Sequence, residues 1–142
     1  MKEALFIKMK LEERVECGEK CIHNQAITEM IEQDWYPVEE GRTVGTTGSE
    51  RGVILQDEEY VRGGRITLEQ CRYPPFAITC GVYGWMVHTT FASSLGEAKE
   101  TYVAMKKRLE EICRLVPSLD DVNVEEKCDH VVNVLEAFVR DF

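Results

Sequence analysis

Phe76-Ala77-Ile78-Thr79-Cys80-Gly81-Val82-Tyr83-Gly84-Trp85-Met86-Val87-His88-Thr89-Thr90-Phe91 is the stretch whose reading decides the fold. Phe76, Ile78, Cys80 and Val82 alternate with Ala77, Thr79 and Gly81, the period of a strand with one buried face. A two-residue turn at Tyr83-Gly84 returns the chain antiparallel. It sets Val82 opposite Trp85, Cys80 opposite Val87 and Phe76 opposite Phe91. Those pairs are apolar, so this register predicts a hairpin whose bulky side chains share one face.

Working upstream, Ile66, Thr67, Leu68 and Glu69 also alternate, and Tyr73-Pro74-Pro75 makes the turn into the hairpin because proline cannot donate to a ladder. Val53-Ile54-Leu55 reads as a short buried strand, and Asp57-Glu58-Glu59 as part of a charged turn region around Tyr60-Val61. The stretch from Glu39 to Gly52, with Gly41, Gly45, Gly48 and Gly52, reads as loop, and Gly45–Gly52 within it as a mobile connection. Before it, Leu11, Val15, Ile22, Ala26 and Met30 fall on one stripe of a helix predicted from about Leu11 to Gln33, stopped at Asp34-Trp35-Tyr36-Pro37.

Downstream, Ser94-Leu95-Gly96-Glu97 has the spacing of a capping box. Leu95, Ala98, Tyr102, Met105, Leu109, Ile112 and Val116 then recur at steps of three and four until Pro117. Val124, Cys128, Val131, Leu135, Phe138 and Phe142 repeat that spacing in a last helix beginning near Asn123. The predicted fold is α+β in one domain, 1–142. It has an N-terminal helix, an antiparallel meander of three or four strands, and two C-terminal helices on one sheet face. Its core is Phe76, Ile78, Trp85, Val87, Phe91, Tyr102, Leu109, Leu135 and Phe138.

With 142 residues, 44% hydrophobic and 30% charged, the chain has the composition of a globular protein. Its net charge of −9 repels phosphate backbones and anionic lipid, so neither nucleic acid nor membrane is an expected partner. No apolar run approaches the ~20 residues that span a bilayer, and Ala4–Ile7 is too short for the core of a secretory leader. A domain of this size needs no disulfide staples, so the six cysteines read as free thiols and the expected location is cytoplasmic.

Candidate chemistry is sparse. Cys17, Cys21 and His23 resemble half a zinc site, but on a continuous helix His23 points about 160° from Cys21, so no metal is expected there. Gly45–Gly52 lacks the Gly-Lys-Ser/Thr ending of a phosphate loop, and no cofactor is predicted. The polar sheet face is the one candidate ligand-binding surface. The hairpin register places Thr79 beside His88, with Glu69 or Thr67 on its other side and Thr90 on an adjacent row. A carboxylate near an imidazole can hold it as a base or a donor, but no nucleophile accompanies this row. From Pro117 onward, Asp120, Asp121, Glu125, Glu126, Asp129, Glu136 and Asp141 face only Lys127 and Arg140, an acidic surface suited to a basic protein. Val132 and Val139 widen the last helix's apolar face, suggesting a homodimer through helix faces.

The leading functional expectation is a non-catalytic protein-interaction module, of inhibitor, immunity or chaperone-like type. The alternative is a small-molecule binder or small enzyme using Thr67, Glu69, Thr79, His88 and Thr90.

Overall fold

Gly84 sets the register of the sheet. The structure, a computed structural model, describes residues 34–142. In it the hairpin forms, but its turn takes three residues, Tyr83, Gly84 and Trp85, with Trp85 N donating to Val82 O at 2.9 Å. Gly84 has φ +80°, the left-handed value that a turn of this kind requires at its third position and that glycine adopts without strain. One extra turn residue shifts the pairing by one and moves every side chain of the second strand to the other face. Cys80 therefore pairs with His88 and Phe76 with Ala92. The expected pairs with Val87 and Phe91 are corrected accordingly. Val87 is 81% exposed and Phe91 51%, so neither belongs to the core.

The described residues form one antiparallel sheet of five strands, β1 (Trp35–Pro37), β2 (Val53–Tyr60), β3 (Gly64–Gln70), β4 (Phe76–Val82) and β5 (Met86–Ala92), in the order β1-β2-β3-β4-β5. This replaces the expected three or four. The acidic run Asp57-Glu58-Glu59 lies inside β2, where Asp57 and Glu58 each find a partner on another element. Asp57 pairs with Arg65, and Glu58 accepts from Tyr102 Oη at 2.7 Å and Lys106 Nζ at 2.9 Å. Burial alone would raise Glu58, but the Lys106 and Tyr102 hydrogen bonds hold it below the usual carboxylate range. A bulge between Ile54 and Gln56 resets the alternation within β2. The predicted Leu11–Gln33 helix, with Cys17, Cys21 and His23, lies outside the described residues.

Two helices follow, α1 (Leu95–Leu115) and α2 (Val124–Asp141). Ser94 caps α1 by accepting from Glu97 N at 3.2 Å, and the Glu97 carboxylate takes Ser93 N at 2.9 Å and Ser93 Oγ at 2.6 Å. The 3,4 spacing buries Ala98, Tyr102, Met105, Leu109 and Ile112 against Ile66, Leu68, Ile78, Cys80 and Val82. Each fully buried large side chain contributes about 1.5–3 kcal/mol. Val116 leaves the helical region before Pro117, as the residue preceding proline must. α2 adds Val131, Leu135 and Phe138 to the same core. Among the described residues, no helix is long and apolar enough to cross a membrane.

Candidate functional site

The face of the sheet turned away from the helices carries three side-chain rows. They run Glu59–Arg65–Gly81–Val87, Asp57–Thr67–Thr79–Thr89 and Ile54–Glu69–Ala77–Phe91 across β2 to β5. Thr67, Glu69 and Thr79 therefore come together as the alternation implied. His88 and Thr90 do not join them. They lie on the helix face, in the rows Glu58–Ile66–Cys80–His88 and Gln56–Leu68–Ile78–Thr90. His88 stands edge-on to Phe138, ring centroids 6.1 Å apart, and its Nε2 is buried without a hydrogen-bond partner among the described residues. The neighbour of Thr79 is Thr89, the two hydroxyls 3.0 Å apart.

Asp57 organises the middle of the polar face. Its carboxylate accepts Arg65 Nε at 3.0 Å, Arg65 Nη2 at 2.8 Å and Thr67 Oγ1 at 3.0 Å. This two-pronged pairing fixes the guanidinium plane, and the Asp57 hydrogen bonds push the Arg65 pKa up further. Tyr83 lies in the same neighbourhood, and burial, reinforced by the Glu59 charge, raises its phenol.

Glu69 is fully buried, and its carboxylate is committed to the Gly-rich stretch that leads into β2. It accepts Glu50 N at 3.1 Å, Gly52 N at 3.2 Å and the Ser49 hydroxyl at 3.3 Å. Gly48 lies so close that a β-carbon there would overlap the Glu69 carboxyl group. The stretch is pinned further by Gly45 N to Ile54 O at 2.8 Å and Ile54 N to Thr46 O at 2.9 Å. What reads as a mobile connection is thus a wall folded over the sheet, and the anchoring residue, Glu69, is remote from it in sequence. The glycine spacing was a signal; its carboxylate partner was not visible.

Between this wall and the floor of β3 and β4 runs an open cleft of about 750 Å³. Thr43, Thr46 and Thr47 line the wall, Arg65, Thr67 and Thr79 the floor, and Trp85, Met86 and Val87 the end at the β4–β5 turn. Thr43 Oγ1 is buried on this wall with no hydrogen-bond partner among the described residues. The wall threonines and Trp85 are site residues that sequence reasoning missed.

His88 is separated from the polar row by the sheet itself, so it cannot serve as a base there. Cys71, beside the wall, has a thiol raised by burial and by the Glu69 and Glu50 charges, which disfavours the nucleophilic thiolate. Among the described residues, no group of three His, Cys, Asp or Glu side chains could hold a metal ion. Comparison with known proteins finds no matching family, no similar curated sequence and no similar solved structure.

Proposed function

We propose that the chain is a binding protein for a small, neutral, partly apolar molecule, held in the cleft between the Thr43–Ser49 wall and β3–β4. The observation that carries this reading is a concave site whose polar floor is already organised by buried bonds, with Asp57 orienting Arg65 and Thr67. Ligand sites of this volume pair apolar walls with a few fixed polar groups. Asp57 is committed to Arg65 and Thr67, and Glu69 to the wall, so neither of these buried carboxylates is open to pair with a cationic ligand. Threonine hydroxyls and Trp85 suit a ring-bearing molecule with hydroxyl or amide groups.

The test is ligand-detected NMR of the full chain against a library of neutral ring-bearing fragments. Hits are checked on Thr46→Trp, which places an indole at an exposed wall position. Fragments that bind the parent protein and lose binding to this variant support the reading; hits unaffected by it, or no hits, refute it. A second reading, docking of a basic protein, is favoured by the solvent-facing Glu125, Glu126, Asp129 and Glu136 of α2. It requires a partner captured at low ionic strength and released by salt.

A further inference from the structure

The two edges of the sheet are built differently. β1 is three residues long and ends in Pro37, a blunted edge that cannot template another strand. β5, at the other edge, runs seven residues, Met86-Val87-His88-Thr89-Thr90-Phe91-Ala92, with no charge, no proline, no glycine and no bulge. Among the described residues no strand pairs with its outer side. Edge strands that long are ordinarily guarded by lysine, proline or a bulge, because their free amides and carbonyls recruit further strands.

We infer that β5 is the seam of a two-fold homodimer, in which β5 of one copy pairs antiparallel with β5 of a second copy about Thr89. The residue order is self-complementary for that operation. With Thr89 opposite itself, Val87 faces Phe91 of the second copy and Phe91 faces its Val87. These are the two large apolar side chains that β5 leaves most exposed. Thr89 carries the row Asp57–Thr67–Thr79–Thr89 across the seam into its two-fold equivalent. On the other face, His88 meets Thr90 of the second copy. Met86 meets Ala92, so small and large alternate.

Charge selects the same occupant. A chain of net charge −9 is repelled by its own copy over most of its surface. A two-fold seam also sets any charged residue near its own equivalent, and β5 carries none. The uncharged edge is where an acidic protein can approach itself. The seam extends about 24 Å at 3.4 Å per residue, and one strand from each copy falls short of the roughly 1,200 Å² of a standard interface. The dimer is accordingly weak and concentration-dependent, and it tightens with salt as the flanking charge is screened. Val87 also lines the cleft, so Phe91 of the second copy extends the cleft's rim, although the pairing itself does not depend on ligand binding.

Sedimentation equilibrium of the full chain from about 1 to 500 μM, at low and high salt, tests the seam. The expected result is a reversible monomer–dimer equilibrium that strengthens as salt rises. Val87→Lys, at a position too exposed to disturb the monomer fold, weakens it by at least about tenfold. Thr89→Cys copies cross-link through the introduced thiol under mild oxidation, mapped by mass spectrometry, because paired strands hold facing α-carbons within disulfide reach. A protein monomeric throughout overturns the inference. So does a dimer indifferent to Val87→Lys, or one in which Thr89→Cys fails to cross-link.

Discussion

Replacing Glu69 with alanine removes an acceptor shared by the Glu50 amide, the Gly52 amide and the Ser49 hydroxyl. Hydrogen bonds to a charged acceptor contribute about 1.5–3 kcal/mol each. At 3.1 and 3.2 Å the two amide bonds are long, which places them at the low end of that range. Ser49 is exposed and can turn to water, so its share is small. The two amides then set the cost of Glu69→Ala at about 3 kcal/mol. Glu69→Gln keeps an oxygen for both amides and loses only the charge assistance, about 1 kcal/mol. Urea unfolding followed by circular dichroism measures both, through midpoint shifts at constant slope. Hydrogen exchange at Glu50 and Gly52 should accelerate in the alanine variant and change little in the glutamine one. A loss below about 0.5 kcal/mol for alanine, or equal losses for the two variants, would refute the account of the wall.

Gly48→Ala should cost about 2 kcal/mol in the parent protein by overpacking against the Glu69 carboxyl, and much less in the Glu69→Ala background, a coupling read from a double-mutant cycle. Asp57 is wholly buried whereas 41% of the Arg65 side chain is exposed, so the two halves of that pair are unequal. Arg65→Met, which strands a buried carboxylate, should cost about 3 kcal/mol, and Asp57→Asn, which leaves a guanidinium able to reach water, about 1 kcal/mol; equal losses in urea unfolding would contradict this. Burial pushes the Cys80 and Cys113 thiols up to about 12, from an unfolded value of 9. The fold thus favours the neutral thiol. Their contribution is intact below pH 9 and is lost as pH rises from 9 towards 12. Urea unfolding at pH 8 and 10.5 should show that decline, and thiol reagents at pH 8 should modify half-exposed Cys71 and Cys128 well before Cys80 or Cys113.

The two C-terminal helices were legible because their information is local. Three-and-four spacing, Ser94 as cap and Pro117 as stop all act within one or two turns, and α1 and α2 match them. The strands β3, β4 and β5 were legible from alternation, but the register between β4 and β5 was not. Alternation is satisfied equally by a two-residue and a three-residue turn, and the apolar content of Val87 and Phe91 favoured the wrong one. Turn geometry at Gly84 overrode hydrophobicity, and an edge strand tolerates the outcome because its outward face has room for exposed apolar groups. Asp57-Glu58-Glu59 resembled a turn for a related reason. The groups that make the run acceptable inside a strand, Arg65, Tyr102 and Lys106, lie 8 to 48 residues away. Three of the five candidate site residues followed the same logic, with Thr67, Glu69 and Thr79 placed by alternation within their own strands and His88 and Thr90 misplaced by the turn.

The chain's two tryptophans are separated by the width of the sheet. Trp35 on β1 lies against Tyr60, with Lys106 over its ring at 5.0 Å and its indole nitrogen 3.4 Å from Glu110. Trp85 sits in the turn joining β4 to β5, about 17 Å away at the usual strand spacing. The molecule therefore carries two independent optical probes, one watching the seal between sheet and helix, the other the mouth of the cleft. A Trp35→Phe protein would keep Trp85 as its only tryptophan, turning a change in indole emission on titration into a local reading of what enters the groove.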